Sequence, residues 1–113
     1  MAGASFTGYA LLGDGTVRAW GEDHYGELGN GGSNTDSVVP VAVSVSAVQA
    51  IAGGDLTGYA LRDDGTVLAW GSGSVGQLGN GGTADSWTPV PVRALSGVIA
   101  IAGGGATGFA VTR

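Results

Sequence analysis

The chain contains an internal repeat with a constant offset of 50 residues. Residues 7–21 read TGYALLGDGTVRAWG and residues 57–71 read TGYALRDDGTVLAWG. Residues 26–32, GELGNGG, return at the same offset as GQLGNGG in residues 76–82. A period of this length is typical of propellers, solenoids and other repeat architectures. We therefore divide a single domain, 1–113, into repeat one (about 1–50), repeat two (about 51–100) and a partial third repeat (101–113).

Each repeat contains the pattern of a β-hairpin. Gly58–Leu61 is short, apolar and partly aromatic, and Asp64-Gly65 follows it as a tight-turn dipeptide. Thr66–Trp70 then predicts the returning strand. Aspartate followed by glycine between two apolar runs is a strong local signal for a two-stranded hairpin.

Two further strands complete the predicted repeat. The glycine-rich stretch Ser72–Asp85 has no helical periodicity and is predicted to be a loop. The segment 89–92, PVPV, suits an outer edge strand, where the N–H that proline lacks is not needed. Val98–Ala102 is a last short apolar strand. Four strands in 50 residues predict an all-β protein made of β-propeller blades of four antiparallel strands, about two blades in this chain.

Composition excludes several other classes of protein. Glycine accounts for 24 of 113 residues, but 43% of the residues are hydrophobic, which argues against a disordered linker. The net charge is −5 and the four basic residues are dispersed arginines, so we expect no nucleic acid partner and no membrane partner.

No apolar run approaches the roughly 18 residues that span a bilayer, and the opening MAGASFTGYA does not resemble a signal peptide. The absence of cysteine excludes disulfides and thiolate zinc sites. None of these features indicates a cellular compartment.

The repeated residues resemble those of the regulator of chromosome condensation repeat. The resemblance is carried in repeat two by Ala52-Gly53-Gly54, Tyr59-Ala60-Leu61, Asp64-Gly65, Trp70-Gly71 and Gly76-Gln77-Leu78-Gly79. It implies a propeller fold of the kind that closes as a seven-bladed ring. It also implies a binding role, since the family includes nucleotide-exchange factors for small GTPases, inhibitors of secreted hydrolases and a light sensor. The sequence departs from the family where a histidine is usual, because Thr7, Thr57 and Thr107 stand there.

Apolar side chains that recur at the repeat offset are predicted to form the core. Aromatic and aliphatic groups at fixed blade positions are expected to pack between neighbouring sheets. The predicted core residues are Tyr9, Leu11, Trp20, Leu28, Tyr59, Leu61, Trp70, Leu78 and Phe109.

Few residues suggest a binding site. The loop Glu22-Asp23-His24-Tyr25 holds the single histidine and has no chemical counterpart in repeat two. Trp87 also lacks a counterpart; Val38 is nearest to it if one residue is missing from the loop of repeat two. These five residues are the candidate binding residues. An exposed polar loop and a tryptophan that packs on an adjacent blade are the structural alternatives.

We predict no catalytic residues, no metal site and no cofactor. Residues 71–76, GSGSVG, match the glycine pattern of a dinucleotide site, but the GQLGNGG that follows does not predict the helix that such a site needs. No nucleophile, general base and oxyanion donors occur at recognisable spacing. We therefore expect this protein not to be an enzyme.

Two blades leave two faces without a neighbour, so the chain is either an excised piece of a longer propeller or one of several copies that close a ring, and we favour the ring. Repeats bury their apolar faces only against other repeats, and three or four identical chains would supply six or eight blades. Met1-Ala2-Gly3 is a stub of a first strand, while Val98–Val111 supplies a first and a second strand. A tail could therefore complete the neighbour's opening blade, although the second strand is then present twice, at Phe6–Leu12 and Ala106–Thr112.

Two functions remain open at this point, beside an enzyme, which is kept only because the axis of a propeller can hold a metal ion. The first is a non-enzymatic, self-assembling propeller that presents its loops for protein binding or scaffolding. The second is a lectin-like ring that binds small ligands in repeated clefts between blades, for which multivalent display would suit identical subunits.

Overall fold

The computed structural model describes residues 2–4, 7–21, 28–31, 37–54, 56–73, 76, 78–82, 84–93, 97–104 and 107–112. Within these ranges the chain forms ten β-strands and no helix. The strands are β1 (Ala2–Ala4), β2 (Thr7–Leu11), β3 (Val17–Gly21), β4 (Ser37–Ala42), β5 (Val48–Gly53), β6 (Thr57–Arg62), β7 (Val67–Gly71), β8 (Ser86–Pro91), β9 (Val98–Gly104) and β10 (Thr107–Thr112).

The strands form three antiparallel sheets in chain order. Blade 1 has the order β1-β2-β3-β4, blade 2 has the order β5-β6-β7-β8, and β9 pairs with β10 in a separate two-stranded sheet. The predicted arrangement of four antiparallel strands per repeat is therefore present twice. The repeat also preserves register, because Thr7 pairs with Gly21 and Thr57 pairs with Gly71.

The predicted hairpin turns form at both Asp-Gly pairs. Gly15 and Gly65 each adopt a φ of 83°, a conformation that glycine reaches without a steric cost. Thr16 donates from its backbone N–H (3.1 Å) and from Oγ1 (2.6 Å) to Oδ1 of Asp14. Thr66 makes the same pair of hydrogen bonds to Asp64, at 3.1 and 2.5 Å. Local side-chain bonds of this kind stabilise a turn without help from the rest of the fold.

The outer strands show how the two repeats align after their loops. Gly21 pairs with Ser37 and Gly71 pairs with Ser86, which gives an offset of 49 residues. Trp87 therefore corresponds to Val38, as expected if one residue is missing from the loop of repeat two. The edge strand β8 begins at Ser86, three residues before the expected Pro89, because the ladder with β7 already starts at Gly71.

The apolar core lies between the sheets. We call the side of a blade that faces the preceding blade its leading face, and the opposite side its trailing face. The largest cluster joins the two blades and contains Tyr9, Val17, Ala19, Leu28, Val43, Val48, Ala60 and Trp70. Two smaller clusters join the trailing face of blade 2 to the start of the third sheet, through Ile101 and Val98.

The opening segment, predicted to be a stub of a first strand, is a short paired strand in the structure. Ala2–Ala4 forms a real inner strand, which pairs with Thr7–Tyr9. It is three residues long, whereas β5 has six residues and β9 has seven. Blade 1 therefore contains a short first strand of its own.

Candidate functional site

The contact between blade 1 and blade 2 contains the largest apolar cluster of the described residues. Tyr9 from the trailing face of blade 1 meets Trp70 from the leading face of blade 2 edge to face, with ring centroids 5.7 Å apart and an interplanar angle of 82°. Both side chains are fully buried. Aromatic pairs in this geometry add about 0.5–1.5 kcal/mol to the stabilisation that comes from buried area.

The loop after β3 completes this contact. Leu28 is 1% exposed in the inter-blade cluster. A Cβ on Gly29 would lie 2.9 Å from Cδ1 of Trp70, so the backbone of blade 1 touches the indole ring directly. The backbone N–H of Gly31 also donates to the carbonyl of Trp87, at 2.8 Å. The blades are thus joined by packing near the middle of the sheets and by a hydrogen bond at the outer strand.

Each repeated tryptophan covers a glycine in the neighbouring strand. Gly8 pairs with Trp20, and Gly58 pairs with Trp70. A Cβ on Gly8 would meet the ring of Trp20 at 2.5 Å, and a Cβ on Gly58 would clash with Trp70 in the same way. The glycine in the repeated TGYAL segment is therefore required because the indole ring lies on it.

The trailing face of blade 2 reuses the residues of the first contact. Tyr59 takes the place of Tyr9 and forms a cluster with Ala52, Ala69 and Leu78, against which Ile101 packs. Tyr59 is 4% exposed, and burial raises the pKa of its phenol. Val98, the first residue of β9, packs with Leu61 and Val67. Strand β9 of the third sheet thus begins to cover this face.

The leading face of blade 1 carries Trp20, the counterpart of a tryptophan that is covered in blade 2. No described element packs on this face. Trp20 corresponds to the fully buried Trp70, yet it is partly exposed. Arg18, two residues before Trp20 in β3 and on the same face, is exposed, while its counterpart Leu68 is partly buried. The expectation that Trp20 lies in the core is therefore not met within one chain, since no described strand packs on its outer side.

The family position normally held by histidine has a structural role here. Thr57 is 1% exposed, and its Oγ1 donates to the carbonyl of Ser72 at 3.0 Å. This bond ties the start of β6 to the residue that follows β7. Thr7 is likewise buried at the start of β2.

The residues predicted for binding do not come together in the described part of the chain. Glu22, Asp23, His24 and Tyr25 lie outside the described residues. Trp87 lies on β8 and is partly exposed, and its indole Nε1 is buried without a hydrogen-bond partner among the described groups. Trp87 contributes its carbonyl to the inter-blade bond with Gly31, a contact that sequence reasoning missed because it depends on how the blades meet.

The glycine-rich segment after β7 is packed within its own blade. The backbone N–H of Gly73 donates to Oδ1 of Asp85 at 3.0 Å. A Cβ on Gly73 would clash with the carbonyl of Ala84. This N–H is therefore already hydrogen-bonded within the blade. Gly73 is required because two loop segments approach closely there, so a phosphate-binding role is not needed to explain it.

Two further features bear on possible chemistry. Within the described ranges, no three His, Cys, Asp or Glu side chains lie close enough to share a metal ion. The same residues contain no helix that is long and apolar enough to cross a membrane. One open cleft lies between the β6–β7 turn and the third sheet, lined by Gln49, Asp63, Asp64, Gly65, Gly97, Val98 and Ile99.

Comparison with solved structures identifies the fold. Human WBSCR16 superimposes with a TM-score of 0.85 over 98% of this chain and 30% of its own length, at 25% identity. Prp20p from Saccharomyces cerevisiae, described with its binding properties to Gsp1p and histones, gives a TM-score of 0.80 over 89% of this chain and 27% of its own, at 20% identity. The yeast protein RCC1 (Prp20), solved bound to Kap60, gives 0.77 over 91% and 25%, at 26% identity. The chain thus spans between a quarter and a third of the length of these proteins.

The family models match most of the chain. The Regulator of chromosome condensation (RCC1) repeat matches residues 14–60 and 64–111, and a second model of the same description matches residues 48–77. No curated protein matches significantly. The sheets and their order are those of part of a propeller of this type. With the matching motifs at the same places in both blades, this chain belongs to the regulator of chromosome condensation (RCC1) repeat family.

Proposed function

We propose that this chain is a non-catalytic binding scaffold that closes a propeller ring with further copies of itself and presents its loops to a protein partner. Proteins with this repeat are mostly non-catalytic binding scaffolds, although the regulator itself is a nucleotide exchange factor. An exchange activity receives no support from these two blades, which are nearly identical and offer little of an asymmetric surface.

The observation that carries the proposal is the difference between Trp20 and Trp70. Both side chains stand at one blade position, pair with a glycine of the adjacent strand and belong to a leading face. Trp70 is fully buried by Tyr9 of the preceding blade, whereas Trp20 is partly exposed. Apart from Arg18, which stands where blade 2 has Leu68, this surface carries the residues of an existing internal interface, and we infer that it is suited to the same contact with a second copy.

The contact would be head to tail. The leading face of blade 1 in one copy would meet the trailing face of blade 2 in the next, with Trp20 beside Tyr59 of that copy. Such an interface joins two different surfaces, and it leaves none open only if rotation closes a ring. Three or four chains would give six or eight blades, the numbers closest to seven that identical two-blade chains provide.

The experiment is a measurement of molar mass by light scattering on the purified full chain. We expect three or four times the mass of 10.9 kDa. Trp20→Ala should reduce this mass, because it removes the largest apolar group of the leading face. Val39→Ser is the matched control, because Val39 is 58% exposed on the outer strand of the same blade. A stable folded monomer for the unsubstituted chain would refute the proposal.

The open cleft between the β6–β7 turn and the third sheet supports a second candidate function, the lectin-like ring. Its lining combines Gln49, Asp63 and Asp64 with the backbone of Gly65 and Gly97, which suits hydrogen bonding to a small hydroxylated ligand. Binding on a glycan array that is lost in Gln49→Ala, with the mass unchanged, would favour this function. An array without binding would contradict this second function.

A further inference from the structure

The third sheet holds an extra copy of strands that blade 1 already has. By the repeat, β10 corresponds to β2 and β6, and β9 corresponds to β1 and β5. Among the described strands, β10 has a partner only in β9, so the edge that β6 uses to bind β7 is unpaired in β10. An unpaired edge of this kind is a template for another strand.

The strand pair β9–β10 is better anchored than the corresponding pair β1–β2. Six residue pairs join β9 to β10, whereas three pairs join β1 to β2. Val98 is 3% exposed against Leu61 and Val67, and its N–H donates to the carbonyl of Gly65 at 3.1 Å. In blade 2 the corresponding Val48 is also buried and donates to the carbonyl of Gly15 at 3.0 Å. The three residues of β1 correspond to Ala52–Gly54 and include no counterpart of this valine.

At an interface between two copies, β9 and β10 of one copy and β1 and β2 of the other compete for the same place. An intact blade 1 docked on blade 2 of another copy would place β1 and β2 where β9 and β10 of that copy lie. Either β9 and β10 leave blade 2, which exposes Val98, Leu61 and Val67, or β1 and β2 leave blade 1. The second route replaces a short inner strand with a long one that is already anchored.

We infer that the ring closes by strand exchange: β9 and β10 of one copy take the place of β1 and β2 in the first blade of the next copy and pair with its β3. This inference rests on the proposed self-assembly and names the segment that performs it. The present pairs of Ala10 with Arg18 and of Thr7 with Gly21 define the register. In the exchanged blade Ala110 pairs with Arg18 of the next copy, and Thr107 pairs with Gly21 of the next copy.

The exchanged blade keeps the packing requirement of the tryptophan. Trp20 lies on Gly8, where no Cβ fits. At the corresponding position β10 has Gly108, which is equally free of a side chain. The residue at the position of Tyr9 becomes Phe109, and the residue at the position of Leu11 becomes Val111. The exchange therefore retains an aromatic and an aliphatic residue where blade 1 has them.

Cysteine pairs test the exchange directly, since the chain has no cysteine of its own. Directly opposed residues of antiparallel strands lie about 4.5–5.5 Å apart at Cα, within the range of a disulfide. One full-length variant carries Arg18→Cys with Ala110→Cys. Its matched control carries Arg18→Cys with Ala10→Cys, the pair that is opposed in the unexchanged blade.

The two variants have opposite expected outcomes. Exchange predicts covalent multimers of the chain on a non-reducing gel for Arg18→Cys/Ala110→Cys, and largely uncrosslinked chain for Arg18→Cys/Ala10→Cys. A ring by light scattering in which only the second pair crosslinks, within one chain, would overturn the exchange and leave the self-assembly standing. A monomer by light scattering would overturn both.

Glycine variants give a second readout without cysteine. Gly8→Ala disfavours the pairing of β2 beneath Trp20, so under exchange the chain should still assemble. Gly108→Ala places the same clash in the exchanged blade and should lower the assembled fraction by about tenfold or more, in line with a clash cost of at least 1.4 kcal/mol at each interface. The reverse order of effects in light scattering would contradict the exchange.

Discussion

Ala47 shows how a single residue can depart from an otherwise faithful repeat. It has a φ of 57° and is the single non-glycine residue with positive φ in the described ranges. Its counterpart Gly97 has a φ of 63° at the same place before an inner strand. An L-residue with a Cβ is strained in this conformation by about 1 kcal/mol. The first repeat thus tolerates strain that the second repeat avoids.

Ala47→Gly should therefore stabilise the protein by about 0.5–1 kcal/mol, partly offset by the greater freedom of glycine in the unfolded chain. The matched substitution Gly97→Ala should destabilise it, although a Cβ there meets no atom within 4 Å and only the backbone angle is affected. Urea denaturation of both variants provides the measurement. Loss of stability in Ala47→Gly would show that the backbone strain is not significant.

Thr57 provides a second residue-scale prediction. Thr57→Val keeps the shape of the side chain but removes the hydroxyl that donates to the carbonyl of Ser72. We expect a loss of about 1–3 kcal/mol in the free energy of unfolding, because a buried acceptor loses its partner. Thr57→Ser retains the donor and should lose less. Equal losses would mean that the methyl group, rather than the hydrogen bond, is important.

At the scale of elements, the hairpin and the blade contact follow different physical rules. The β2–β3 and β6–β7 turns depend on residues two positions apart, so each forms from local chemistry. The contact between blades depends on residues about 60 positions apart, such as Tyr9 and Trp70. We therefore expect the turns to be sensitive to pH and the blade contact to be sensitive to side-chain truncation.

The Asp-Gly turns should make stability sensitive to acid. The Thr16 hydroxyl holds the pKa of Asp14 below its ordinary 3.8, and the Thr66 hydroxyl does the same for Asp64. The folded state therefore favours the charged carboxylates, so their contribution is complete above the unfolded pKa and is lost as the pH falls through the lower folded value. The Tm should fall as the pH is lowered below about 4, the ordinary pKa of an aspartate, and less so in Asp14→Asn/Asp64→Asn. Asp63→Asn, at an exposed aspartate beside the turn, is the control, and an unchanged slope in the double variant would contradict the assignment.

Truncation of the two tryptophans should have unequal effects. Trp70→Ala removes a fully buried ring from the inter-blade cluster, and we expect a loss of about 3–5 kcal/mol. Trp20→Ala removes a partly exposed ring and should cost less within one chain. Urea denaturation across a range of protein concentrations checks this. Equal losses at every concentration would show that Trp20 is as well packed within one chain as Trp70.

For the whole molecule, we expect stability to depend on which blade faces are covered by a neighbouring sheet. The largest apolar cluster is the one between the two blades, and the trailing face of blade 2 is covered by β9. The leading face of blade 1 has no described neighbour. Repeats of this kind gain stability from each interface that they form.

Dilution should therefore lower the stability of the full chain. If copies supply the missing neighbour, dissociation removes an interface from each chain, and the Tm should rise with protein concentration. Melting curves followed by circular dichroism at several concentrations provide the measurement. A Tm that is independent of concentration would indicate that one chain is already the complete folding unit.

The sequence by itself determined the elements and the family. The 50-residue offset, the Asp-Gly turns and the apolar strands around them predicted two blades of four antiparallel strands, and the structure has both. These features are local, because a turn or an alternating strand is encoded within a few adjacent residues. The RCC1 motif is equally local, so its match did not depend on knowing how the blades pack.

Only the tertiary structure decided whether two copies of a repeated residue are equally buried. Trp20 and Trp70 have nearly the same sequence context, yet one is partly exposed and the other is fully buried. The difference comes from what lies on the adjacent face, a contact between residues distant in sequence. The same holds for Gly31 and the Trp87 carbonyl, and for Thr57 and the Ser72 carbonyl. A periodic sequence specifies each blade identically, but burial depends on whether a neighbouring blade is present to exclude water.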